Sequence, residues 1–123
     1  MKVTVEGLDN APVGFEPLPP DMYIVIVTSC QIKESSTGNP MISLEAEVAE
    51  HEEYTGRKLF WNISLVEKAA GILKGFLVAA NVPISGNNFN TEDVMGQMLK
   101  VTVTQEEYNG EMRNQVKKFF PTD

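Results

Sequence analysis

Between residues 41 and 50 apolar and polar side chains alternate: Ile42, Leu44, Ala46 and Val48 fall on one face, Ser43, Glu45 and Glu47 on the other. That period of two marks a half-exposed antiparallel strand. Met22 to Lys33, rich in Ile, Val and Tyr, predicts a long strand before it, and the turn formers of Glu34 to Pro40 predict the loop between them. After the polar connection His51 to Gly56, a third strand is expected over Arg57 to Ser64, with Leu59, Trp61 and Ile63 opposing Lys58, Phe60 and Asn62. A one-residue slip exchanges those faces, so the pattern leaves open whether Phe60 or Trp61 points outward. Ser64-Leu65-Val66-Glu67 has the form of a capping box. Leu65, Ala69, Ile72, Leu73, Phe76, Leu77 and Ala80 then recur at helical spacing, and Asn81 and Pro83 end the helix.

Beyond a loop over Ile84 to Asn90, Thr91 to Val94 predicts a single helical turn stopped at Gly96. Met98 to Glu106 alternates again through Leu99, Val101 and Val103, and Asn109-Gly110 predicts a tight hairpin into a last strand. Counting back from that turn pairs Tyr108 with Glu111, Glu106 with Arg113, Val103 with Val116, Thr102 with Lys117 and Leu99 with Phe120. The same count turns Lys118 inward beside Val101, an inconsistency that a β-bulge would relieve. The order strand, strand, strand, helix, strand, strand is that of a five-stranded Greek-key OB barrel with its helix between the third and fourth strands. Gly7 to Asp21 carries four prolines and reads as an extended arm rather than a packed element, so residues 1–21 are assigned to an arm and 22–121 to the barrel. Lys2 to Glu6 alternates as a short edge strand would.

Length and composition narrow the picture. A chain of 123 residues, 42% apolar, fits one domain with a small core. No apolar run approaches the ~18 residues of a membrane helix. The N-terminus lacks the apolar stretch of a secretory leader and Cys30 is the single cysteine, which together predict a reducing, cytoplasmic setting. Catalytic sets are missing from the pattern. His51, the single histidine, falls in a polar loop and reads as solvated, and one Cys with one His makes no zinc set. Phosphate-binding glycine loops are not seen. No cofactor, metal site or enzymatic activity is therefore expected.

The formal charge of −7 opposes polyanion binding if taken as a sum, but the cations are clustered. On the predicted register Lys100, Thr102, Thr104, Arg113, Gln115, Lys117 and Phe119 share the outer face of the last two strands, with Tyr108 at the turn. Lys58, Phe60 and Asn62 share that of the third; Lys33 enters the first loop and Arg57 opens the third strand. Cations among exposed rings are what a single-strand groove uses: charge for phosphates, π-faces for bases of any sequence. Against this, Phe119 could cover a barrel end, Glu106 opposite Arg113 could be an ordinary cross-strand pair, and Glu45 and Glu47 would repel phosphate. A protein-interaction or structural OB module is the rival reading.

Phe15 to Tyr23, Lys33 to Met41, Gly56 to Asn62, and Glu107 to Gly110 with Arg113 to Phe119 resemble, in order and spacing, a family of phage-encoded OB-fold single-stranded DNA-binding proteins of replication and recombination. The resemblance spans about residues 15–121. It implies a non-enzymatic DNA binder working in the cytoplasm of a bacterial host, and directs attention to Lys33, Arg57, Lys58, Tyr108, Arg113 and Lys117. Such proteins often recruit replication or recombination partners through an acidic C-terminal tail. Here the sequence ends Pro121-Thr122-Asp123, which puts that route in doubt and leaves homodimerisation open.

Overall fold

The computed structural model describes residues 1–5 and 17–122, apart from the side chain of Tyr108. Strands β1 (Asp21–Glu34), β2 (Pro40–Val48), β3 (Lys58–Ser64), β4 (Met98–Tyr108) and β5 (Glu111–Phe120) form one antiparallel sheet in the order β3-β2-β1-β4-β5. Helix α1 (Ala70–Ala79) lies between β3 and β4, and packs on β3 and β5. The sheet curls because β1 serves two partners. Its first half, Asp21 to Ile26, pairs with β4, and its second, Val25 to Glu34, pairs with β2. Between them Thr28 is an extra residue opposite β2, a bulge that bends the strand and raises its twist. The Thr28 hydroxyl donates to Glu45 Oε2 at 2.7 Å, fixing the bend. As a result the outer strands β3 and β5 approach each other, with Cα atoms within 8 Å, although they are not neighbours in the hydrogen-bonded order.

Alternation decides what is buried. Val25, Val27, Ile42, Leu44, Ala46, Leu59, Trp61, Ile63, Leu99, Val101 and Val103 project inward and meet Phe76, Leu77, Ala79 and Ala80 of the helical segment. Among the described residues the buried set contains no polar or charged side chain. Helix α1 starts through a 3-10 turn at Glu67–Ala69. The expected capping box does not form: the Ser64 hydroxyl accepts from the Val66 N–H, one residue short of Glu67. Ile72, placed on the buried stripe from its spacing, is exposed, and Ala79 takes the inner position. Asn81 ends the helix at φ 58°, and Asn109 and Gly110 both have positive φ, as a type I′ hairpin requires.

The arm is less loose than its prolines suggest. Residues 6–16, and with them most of that segment, lie outside the described residues. Leu18, however, is fully buried and clasped by β5. Asn114 Oδ1 accepts from the Leu18 N–H at 2.8 Å, while Asn114 Nδ2 donates to the Leu18 carbonyl at 2.9 Å. Gln105 Nε2 donates to the same carbonyl at 3.0 Å. One amide side chain thus satisfies both backbone groups, as a neighbouring strand would. The expected strand over Lys2 to Glu6 is not seen at Met1 to Val5, which join no sheet, and Glu6 is not described.

The predicted hairpin register holds from Tyr108–Glu111 through Val103–Val116 and then slips. A second bulge, at Lys117, pairs Thr102 with Lys118 and Lys100 with Phe120, instead of Thr102 with Lys117 and Leu99 with Phe120. The side-chain period being two, one extra residue reverses everything after it. Lys118 therefore points outward, and Phe119 goes inward opposite Val101. Phe120, not Phe119, stands on the outer face.

Candidate nucleic-acid interface

A cleft of about 670 Å³ runs between β3 and β5, lined by Lys58 to Asn62 on one side and Arg113 to Val116 on the other. Phe60 is 64% exposed in it, which settles the face of β3. Trp61 points the other way, 9% exposed, with its ring 6.1 Å from those of Phe76 and Phe119. The half-buried Phe119 ring lies 5.3 Å from Phe76 and edge-on to it. Trp61 and Phe119 are therefore structural, closing the sheet against α1, and the flat side chain facing the cleft is Phe60. The outer amides Asn62 and Gln115 supply hydrogen-bonding groups on either wall.

The cations here are ion-paired. Lys58 Nζ lies 3.8 Å from Glu45 Oε1, Arg113 Nη2 lies 3.7 Å from Glu111 Oε2, and Lys117 Nζ lies 2.8 Å from Glu106 Oε1. Each cation is about half-exposed, so each pair is worth only about 0–1 kcal/mol and exchanges readily for an external anion. Lys117 stands at the bulge, just outside the lining of the cleft.

Other sequence-predicted positions lie apart. Lys33 is exposed at the far end of β1, across from Met41. Arg57 precedes β3, its guanidinium 6.0 Å from the centroid of the Tyr54 ring. Lys100 is on the outer face of β4 opposite Phe120. The Tyr108 side chain lies outside the described residues; its backbone pairs with Glu111 at the hairpin turn. His51, expected to be solvated, is half-buried against Tyr23 and Tyr54, and its Nδ1 accepts from the N–H groups of Glu53 and Tyr54. Burial, then the Asp21 charge, raises the Tyr23 hydroxyl above its usual range, and Tyr23 donates to the Pro19 carbonyl at 2.6 Å. Burial likewise pushes the Cys30 thiol up.

Sequence reasoning picked Lys58, Phe60 and Arg113, which the fold brings together. It missed the outward placement of Lys118 and Phe120; the only signal was the inward lysine that the unbulged count produced. Among the described residues no set of three or more His, Cys, Asp or Glu could hold a metal ion, and no helix is long and apolar enough to cross a membrane. Comparison with curated proteins finds no match. The family described as "Protein of unknown function (DUF669)" matches residues 6–123, nearly the whole chain, and the protein belongs to that family.

Proposed function

We propose that the protein binds single-stranded DNA without sequence preference, on an OB-type barrel whose β3–β5 cleft receives the strand. The order β3-β2-β1-β4-β5, with β3 and β5 near each other, supports that reading, since it is the neighbour order a five-stranded Greek-key barrel would give if opened along one line. The observation that carries the function is the cleft itself, lined by Lys58, an exposed Phe60 and Asn62 on the β3 wall and by Arg113 and Gln115 on the β5 wall. Phosphates would displace Glu45 and Glu111 from their cations, a base would stack on Phe60, and the amides would meet base edges or phosphates. No bond is made or broken. The role is to hold and protect an unpaired strand, in replication or recombination within a bacterial host, as the resemblance of the cleft segments to phage single-strand binders suggests.

Gel shifts with labelled oligo-dT at two salt concentrations test this. Binding should weaken with salt at about 0.7 log units per log unit for each phosphate neutralised, and duplex DNA should bind far more weakly. Absence of oligo-dT binding at low salt overturns the reading. A rival is favoured by one observation: all three cations near the cleft are matched by carboxylates on a body of charge −7. A protein-interaction module would show that self-neutralised surface and no salt-dependent DNA binding.

A further inference from the structure

We propose that the strand path continues from the cleft onto the outer face of β4 and β5, where Lys100, Lys118 and Phe120 form a second stacking platform; this rests on the single-strand reading. Lys100 and Phe120 are direct partners across the two strands, and Lys118 opposite Thr102 shares their face two residues earlier. Directly opposed Cβ atoms stand about 5 Å apart, and the i, i+2 spacing along a strand is roughly 7 Å. The ring position is thus flanked by two lysine positions on the same face.

Three observations set the platform apart. Phe120 keeps 38% of its surface in solvent although its neighbour Phe119 has room in the core, because the bulge at Lys117 turns it out. Unlike Lys58, Arg113 and Lys117, neither Lys100 nor Lys118 has an ion-pair partner among the described residues. They are cations that cost no carboxylate to engage, on an otherwise anionic protein. The platform also continues the strand that carries the cleft's Arg113 and Gln115: Phe120 lies five positions beyond Gln115, roughly 14–17 Å along β5 given the bulge between them. A strand long enough would cover both.

The experiment measures affinity for oligo-dT of about 6 and about 15 nucleotides, one near each end of the range of site sizes known for OB folds. It compares the wild type with Phe120→Leu, which keeps apolar bulk but removes the π-face, with Lys118→Glu, and with Lys68→Glu, the same charge change on the 3-10 turn before α1. Phe120→Leu should weaken the long oligomer roughly 5- to 150-fold, the value of one stacked base, and leave the short one unchanged. Lys118→Glu should also lower the salt slope for the long oligomer by about one. Unchanged long-oligomer affinity, equal loss on both lengths, or the same loss from Lys68→Glu overturns the platform while leaving the cleft intact. Failure of the wild type to bind either length overturns both readings.

Discussion

Phe60 and Trp61 are adjacent in sequence and opposite in consequence. Trp61 sits against Phe76 and Phe119, so Trp61→Ala should cost about 3–5 kcal/mol, measured by denaturant unfolding. Its indole Nε1 is buried with no hydrogen-bond partner among the described residues, so Trp61→Phe keeps a ring and removes an unsatisfied donor. Phe should therefore be tolerated far better than Ala at that position. Phe60→Ala should do the reverse, leaving the melting temperature nearly unchanged and cutting oligo-dT affinity about 5- to 150-fold. Titration gives a further expectation. Burial raises both Cys30, whose ordinary value is 9.0, and Tyr23, ordinarily 10.0. In that situation the folded state holds a proton that the unfolded chain has released, so stability is complete below the unfolded value and declines as pH rises through the folded one. The melting temperature should be flat with respect to these groups through neutrality and fall above about pH 9, and Cys30→Ala should remove part of the fall.

At the scale of elements, the turn and the clasp give separable effects. Gly110 has φ +83°, so Gly110→Ala should destabilise by about 1 kcal/mol or more, while Asn114→Ala strands the Leu18 N–H and should cost about 1–3 kcal/mol. Both are read by thermal melts. β2, β3, β4 and the helix were legible as periodicity, because a period of two or 3.6 is all that burial on one face demands, while β1 was legible from its Ile, Val and Tyr content and β5 from the Asn109-Gly110 turn. The bulge at Lys117 was legible only as a contradiction, since the residues before and after it are equally good strand formers and nothing local marks the extra one. Leu18 was hidden for a different reason. Its setting, Pro17-Leu18-Pro19-Pro20, looks like linker, and its burial depends on an amide 96 positions away. The site was half legible for the same cause: Lys58, Phe60 and Arg113 lie before the slip, Phe119 after it.

For the molecule as a whole, the central strand is the best protected and the cleft the least. Native-state hydrogen exchange should therefore be slowest in the middle of β1, paired on both edges, and fast for β3 and β5 amides turned toward the cleft. Addition of oligo-dT should slow that second group. The distribution follows from topology: β1 must find β2 nearby and β4 some 80 residues away, as Asp21 does with Val103 or Met22 with Thr102. The fastening of Leu18 carries this to its limit. Since the groups that seat it reside in the β4–β5 hairpin, a chain emerging from the ribosome would leave Leu18 wet until that hairpin was made. The clasp is then a late event, and any copy cut short before β5 would carry an uncovered greasy spot at Leu18, an invitation to quality control.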